Sequence, residues 1–405
     1  MKDSFVPRKY SPGTPPVPFG GEAPSPVPTE TPARPQSRRS RGWLLPFLAV
    51  LALVAAVTAG GIAAGRAAFP QLRWIRETIG LGDWRDDLAR TSLPLAPPGT
   101  LRLGLSRERG EELTAKQVYQ KVNPSVVEIL AETEKGYYQG SGVILSSGGY
   151  IVTNAHLVAG VNSVRVELAD GRVLDGFLRG YDGDTDLAVL QVNARDLPAA
   201  VLGDSAVMEV GDRVYAIGNP YSLELRGTMT DGIVSALDRK LWGEELPLLQ
   251  HTAAINSGSS GGALVNAWGQ VVGITHMKLM SEEETYEGLG FAIPSAAVKQ
   301  VCDQIIAWGE YRGTPMLGIM VYTADPSDQA PQGVMVDSVD EDSDAWAKGI
   351  RRGDIITAAN GRPVTTSEEL FQIKEEYLED TITLEVWSVG GTSRELTVSY
   401  SFLRG

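Results

Sequence analysis

Cysteine is almost absent from this chain, which has one, Cys302, among 405 residues. That excludes an intramolecular disulfide framework, and the apolar, helix-like run from Ala297 to Ile306 makes Cys302 a buried side chain rather than a reactive thiol. Histidine is nearly as scarce: His156, His251 and His276 are the whole supply. A general base therefore has few candidates, and no residue cluster has metal-ligand spacing. Positive charge is short too, since 36 Lys and Arg face 50 Asp and Glu and the formal net charge is −14. This speaks against nucleic-acid binding, which needs a basic face. No metal and no cofactor is expected. What is plentiful is glycine, with 45 residues in a chain that is 43% hydrophobic. Such a composition suits a turn-rich, mostly β core, and the length suggests two or three domains.

The N-terminal part divides by composition. Residues 1–42 are rich in Pro, Ser and Arg and too poor in large apolar side chains to bury a core, which predicts a disordered tail. Residues 43–65 are almost wholly apolar and uninterrupted by charge, long enough at about 1.5 Å per residue to cross a hydrocarbon layer of roughly 30 Å. Arg34, Arg38, Arg39 and Arg41 precede this stretch and favour an inside N-terminus with the remainder exported. A cleavable signal peptide ending near Ala63-Ala64-Gly65 is the rival, but the apolar run is longer than the usual core of such peptides, so an uncleaved signal anchor is expected. Residues 66–112 read as a membrane-proximal linker in which short helical pieces fit and whose tryptophans suit a headgroup boundary. From Leu113, Val118 and Val122 suggest a short helix ended near Pro124, followed by a strand from Val126.

Three segments beyond that point carry chemistry. Asn256-Ser257-Gly258-Ser259-Ser260-Gly261-Gly262-Ala263 sets a serine among glycines, whose positive φ lets successive N–H groups converge on one point, although ordinary turns and phosphate nests share this composition. His156 ends the apolar, β-branched run Tyr150-Ile151-Val152-Thr153, a rim position from which a side chain reaches a cleft. Asp184 and Asp186 lead into the buried-looking strand Leu187-Ala188-Val189-Leu190. The order His156, Asp186, Ser260 is that of two-barrel chymotrypsin-type proteases, and differs from subtilisins and α/β-hydrolases.

The runs Gly140-Ser141-Gly142-Val143-Ile144, Thr153-Asn154-Ala155-His156, Thr185-Asp186-Leu187-Ala188-Val189-Leu190, Ala216-Ile217-Gly218-Asn219-Pro220, Gly232-Ile233-Val234-Ser235, Ala253-Ala254-Ile255-Asn256 and Gly290-Phe291-Ala292-Ile293-Pro294-Ser295 resemble, in order, the signature blocks of the HtrA/DegP serine proteases. The resemblance runs from about residue 113 to the C-terminus. It implies a mostly β fold: a trypsin-like double β-barrel at 113–310 and an α+β PDZ domain at 311–405, usually assembled as trimers or multiples of trimers. It also implies a triad of Ser260 as nucleophile, His156 as base and Asp186, rather than Asp184, as orienting acid, with an oxyanion hole from the N–H groups of Gly258 and Ser260. The position of Ala254, followed by Ile255, corresponds to the base of the primary specificity pocket, to which Thr275 also belongs. An apolar base cannot pair Arg or Lys, so cleavage after small or medium aliphatic residues of unfolded polypeptide is expected.

Several positions depart from the family pattern. Ser257, Ser259 and Ala263 stand where proline, asparagine and proline are common, and loss of the proline at 257 loosens the oxyanion loop. His276 occupies a position where relatives place a small hydroxyl residue near the triad acid. Either it approaches Asp186 and makes activity pH-sensitive, or it is a partly exposed histidine on a loop edge. His251 also replaces a small residue and is given no role.

After Pro315, Met316-Leu317-Gly318-Ile319 resembles a PDZ carboxylate-binding loop, where N–H groups at a sheet edge hold a peptide's C-terminus. Ser343 to Ile356 and Asn360-Gly361 match the same domain, and Ser367 to Leu378 gives the groove-lining helix with Leu370 and Ile373 among its apolar positions. The expectation is a single-pass membrane-anchored endopeptidase with catalytic and PDZ domains outside the cytoplasm, acting on unfolded proteins under control of C-terminal peptides. An inactive chaperone or PDZ adaptor on the same fold is the alternative, and cleavage of one dedicated signalling protein is a third reading.

Overall fold

The computed structural model describes residues 84–404 apart from 134–135, 221–222, 242–244, 281–284, 325–329, 377–378 and 389. The predicted tail, the predicted transmembrane segment and the first part of the predicted linker lie outside the described residues. No helix among the described residues is long and apolar enough to cross a membrane.

Two short helices come first, α1 (Trp84–Leu88) and α2 (Ala115–Val122). A capping box starts α2: the Thr114 hydroxyl accepts from the Gln117 N–H while the Gln117 side chain accepts from the Thr114 N–H. Pro124 then forces a single tight turn before the first strand. Residues 84–112, read in sequence as linker, lie along the barrels. Leu88, Leu93, Ala96 and Leu103 are buried, and the Ala96, Gly99 and Ser106 N–H groups donate to Leu178, Ile306 and Leu202. Four apolar side chains spaced without period along an extended strap leave no strand or helix signature, which is why the sequence reads as linker there.

The first closed barrel contains β1 (Val126–Thr133), β2 (Gly136–Ile144), β3 (Tyr150–Thr153), β4 (Ser163–Glu167), β5 (Val173–Asp182) and β6 (Leu187–Val192) in the order β1-β2-β3-β6-β5-β4. The second contains β7 (Arg213–Gly218), β8 (Thr228–Arg239), β9 (Leu248–His251), β10 (Ala263–Asn266), β11 (Val271–Met280) and β12 (Thr285–Pro294) in the order β10-β11-β12-β9-β8-β7. All strand neighbours within them are antiparallel, and closure removes the exposed edges that a flat sheet would leave. Ile129, Ile151 and Leu190 fill the first barrel, and Leu249, Leu264 and Ala292 the second.

Helix α3 (Ser295–Trp308) closes the double barrel. Its Val298, Val301, Ile305 and Ile306 are fully buried, each contributing about 2 kcal/mol before entropy is counted. Cys302 lies with them, as expected, and burial pushes its thiol well above the ordinary range. Carbonyls at a helix C-terminus lack intrahelical donors. Here the Arg179 guanidinium on β5 supplies them, with Nε on the Ile306 oxygen at 2.7 Å and Nη2 on the Ala307 oxygen at 3.0 Å.

The C-terminal unit pairs β13 (Thr314–Met316) with a terminal strand and builds a mixed-length sheet from β14 (Ile319–Thr323), β15 (Val334–Val339), β16 (Ile355–Ala359), β17 (Arg362–Pro363), β18 (Thr381–Ser388) and β19 (Thr392–Ser399), with helices α4 (Asp344–Ala347) and α5 (Ser367–Glu376). The terminal strand is β20 (Ser401–Leu403). Sheet order is β14-β15-β16-β18-β19, so β14 is an edge strand, and α5 lies beside it. The architecture is therefore mostly β, a trypsin-like double barrel followed by a PDZ-like sheet.

Candidate active site

His156 sits in the single 3-10 turn Ala155–Leu157 that follows β3, and Asp186 immediately precedes β6, the partner of β3 in the barrel. That pairing brings two residues 30 apart in sequence to one rim. Asp186 takes φ of +53°, a left-handed conformation that aspartate tolerates better than most side chains. The conformation is fixed from both sides: the Asp186 carbonyl accepts from the Ala155 N–H and the Asn154 amide, and its Oδ1 accepts from the His156 N–H at 2.8 Å. Its Oδ2 lies 2.8 Å from His156 Nδ1. The backbone of residue 156 and its ring are thus gripped by one carboxylate.

A second imidazole reaches the same oxygen, with His276 Nδ1 at 2.9 Å from Asp186 Oδ2. The alternative of a partly exposed loop-edge histidine does not hold, because His276 is 3% exposed and lies within β11. Its orientation has a local cause. Thr275 pairs with Ala292 and Met277 with Phe291, so His276 is the extra residue of a β-bulge, a device that re-aims side chains beside functional sites. Burial pushes the Asp186 carboxyl upward, but the charge and hydrogen bond of His156, reinforced by His276, outweigh it and hold the carboxyl well below the ordinary range.

Ser260 arrives from the turn before β10. Its main-chain oxygen accepts from the Ser141 N–H on β2 at 2.9 Å, joining the loop that bears Ser260 to the other barrel. The loop is stitched to β11 by the Gly261 N–H on the Thr275 oxygen and by the Thr275 hydroxyl on the Ser259 oxygen at 2.6 Å. Gly258 has φ of +90°, and its carbonyl accepts from the Ser141 hydroxyl at 2.8 Å, which in turn accepts from the Asn219 N–H. The loop's engaged backbone donors include those of Asn256, Ser259, Gly261 and Gly262, and those named for the oxyanion hole, Gly258 and Ser260, are not among them. The Ser260 hydroxyl donates to the main-chain oxygen of His276 at 3.1 Å rather than to His156.

Beside the loop is a cavity of about 20 Å³ lined by Ala216, Ile217, Pro220, Thr228, Thr230, Ala254 and Thr275, among others. Ala254 and Thr275, two of the three residues assigned in sequence to a specificity pocket, both line this cavity. Ile255 does not: it faces inward and packs in the second barrel with Leu249, Ala253 and Leu264, since neighbours in an extended segment point to opposite sides.

Two flanking groups gave no sequence signal. The Trp84 ring stands edge-on to His156 with centroids 5.9 Å apart. Arg404, just past β20, bridges Asp182 Oδ1 at 2.9 Å and Asp184 Oδ2 at 3.2 Å, and also donates to the Tyr311 carbonyl. Asp184, the rejected candidate for the triad acid, is thereby occupied elsewhere. In the C-terminal unit Gly318 has φ of +68° and lies before the edge strand β14. Leu317, Leu370 and Ile373 are buried in the core of that unit, and Ile319 packs against it. The apolar side chains left open around β14 and α5 are Met320, Tyr322 and Phe371.

The sequence also matches known families. Residues 140–274 match the trypsin-like peptidase domain and residues 315–399 the PDZ domain. A probable periplasmic serine endoprotease DegP-like of Halomonas elongata is 40% identical over 239 residues, 57% of this chain and 49% of that protein. The serine protease Do-like HtrB of Bacillus subtilis is 38% identical over 277 residues, 62% of this chain and 60% of that protein. A solved serine endoprotease from Yersinia pestis is 33% identical, covering 73% of this chain and 100% of that one, with a TM-score of 0.46. The chain spans about half to three fifths of the length of the two curated relatives. With both domain types matched in order and relatives of this kind at such identity, the chain belongs to the trypsin-like peptidases that carry a PDZ domain and is homologous to the DegP/HtrA serine proteases.

Proposed function

We propose that this protein is a serine endopeptidase in which Ser260, His156 and Asp186 act as the triad. The observation that carries this reading is the double grip of Asp186 on residue 156, backbone N–H and ring Nδ1 each at 2.8 Å, beside the loop that bears Ser260. Such a grip fixes the tautomer with Nδ1 protonated and leaves Nε2 as the base. Ser260 Oγ attacks the scissile carbonyl as His156 Nε2 takes its proton; the imidazolium, stabilised by Asp186, then protonates the leaving amine, and water repeats the sequence on the acyl-enzyme. The Gly258 and Ser260 N–H groups receive the oxyanion, each donor worth about 3 kcal/mol in the transition state. The cavity of about 20 Å³ lined by Ala216, Ile217, Ala254 and three threonines supports a preference for small aliphatic side chains at the cleaved bond.

The substrates of this reading are unfolded or damaged polypeptides outside the cytoplasm. The anchor is residues 43–65, with 1–42 cytoplasmic, 113–310 as protease and 311–405 as PDZ domain, assembled as trimers or their multiples. C-terminal peptides would add to β14 with their carboxylate at Leu317-Gly318-Ile319 and regulate cleavage. One observation favours the inactive chaperone or adaptor as a second reading: the Ser260 hydroxyl rests on the His276 oxygen. Degradation of unfolded casein by the full-length protein, beside Ser260→Ala, decides between them. Loss of cleavage in the variant is expected, and equal, undetectable cleavage by both with casein binding retained refutes the peptidase.

A further inference from the structure

We propose that His276 is a positioning residue of this triad, a second imidazole on the Asp186 carboxylate that weakens the grip of that carboxylate's charge on His156. The inference rests on the triad reading above. Asp186 is fully buried; its Oδ1 accepts from the His156 N–H, and its Oδ2 stands 2.8 Å from His156 Nδ1 and 2.9 Å from His276 Nδ1. A carboxylate that spends part of its charge on a second ring has less to give an imidazolium forming at His156. Should His276 itself take up a proton, its positive charge acts in the same direction. Either way His156 becomes a weaker base, and a weaker base stays unprotonated, hence competent, at lower pH.

The surroundings leave few competing charges. Asp182 and Asp184, on the same loop, are bridged by Arg404, and the ring of His156 is flanked by Trp84. His276 has not strayed to Asp186 on a flexible side chain. It is the bulged residue of β11, so the backbone itself presents it, and with 1% side-chain exposure it has no solvated alternative position.

The chain's scarcity of histidine makes the test direct, because only three rings titrate. The full-length protein carrying Ser260→Ala and labelled histidine is titrated by nitrogen NMR, with and without His276→Phe and His276→Asn. Phenylalanine keeps the ring and removes the donor; asparagine keeps an N–H able to reach the same oxygen. The His156 midpoint is expected to rise by about one pH unit in His276→Phe and to move by no more than roughly a few tenths in His276→Asn. His276→Ala repeats the comparison if the phenyl ring prevents folding. An unmoved midpoint in the donor-less variants, or an equal rise in His276→Asn, overturns the proposal. In chains that retain Ser260, the acid limb of kcat/KM should rise in the same order. Absence of any cleavage above the Ser260→Ala background there defeats the triad reading, while the NMR titration still decides the role of His276.

Discussion

His251 ends β9 and is fully buried, with Val234 of β8 and Gly290 of β12 as its register partners. Gly290 is fitted to the ring: a Cβ there would stand 2.5 Å from His251 Cε1. Burial lowers its pKa from 6.5 to about 4, opposed only in part by a hydrogen bond with the Ala253 backbone. In the unfolded chain the ring titrates near its ordinary value. Between these two values the unfolded state binds a proton that the folded state refuses, so stability falls as pH falls. The slope approaches about 1.4 kcal/mol per pH unit, the loss reaches about 2 kcal/mol at about pH 5, and it levels off near about 3 kcal/mol below pH 4. Above about pH 7.5 the ring is neutral in both states and adds no pH dependence. Glu128 and Asp303 run in the opposite sense, because burial raises their carboxyls and the folded state binds the proton first. The quantity to read is therefore the difference between the wild type and His251→Leu. Urea unfolding followed by near-ultraviolet circular dichroism at about pH 5 and about pH 7.5 should show the variant losing about 2 kcal/mol less than the wild type on acidification. Equal losses in the two proteins would refute the reasoning, whatever the variant's absolute stability.

Gly261 has φ of +80°, and a Cβ there would lie 2.1 Å from the Ser141 oxygen and 2.5 Å from Thr153 Oγ1. Gly261→Ala should cost about 3 kcal/mol or more and abolish casein cleavage, checked by thermal unfolding and a peptidase assay. Arg404→Ala leaves Asp182, 6% exposed, without its guanidinium, although the Thr185 N–H still holds its other oxygen. A loss of about 1 kcal/mol, visible as a Tm lower by a few degrees, is expected, together with slower turnover at unchanged Ser260 and His156.

The barrel strands and the approach of His156 to Asp186 were legible because each leaves a local trace. Tyr150-Ile151-Val152-Thr153 is a short β-branched run and Leu187-Ala188-Val189-Leu190 a short apolar one, and Gly258 and Gly261 mark a turn with the positive φ that glycine adopts easily. Helix α2 was legible from Val118, Val122 and Pro124, and α3 from its apolar face. What escaped depends on geometry with no local trace. The sequence left two readings of His276 open, and its contact with Asp186 turns on one extra residue between Thr275 and Met277, a bulge set by strand pairing rather than composition. Ile255 and Ala254 are adjacent, and only the path of the loop decides which of them faces the cavity. The strap from Trp84 to Leu103 gains its contacts from two barrels that form far downstream in the chain.

The Arg404 bridge also bears on when the site becomes complete. Its guanidinium reaches Asp182 and Asp184, the stretch that leads to Asp186, from a point 218 residues beyond that acid (404 − 186). During vectorial synthesis the double barrel emerges first, and the loop carrying the acid lacks this guanidinium until the entire C-terminal unit has followed and β20 has paired with β13. A nascent chain thus holds His156, Asp186 and Ser260 well before it holds the brace beside one of them, an order of assembly in which the site is completed only once the PDZ-like unit is in place.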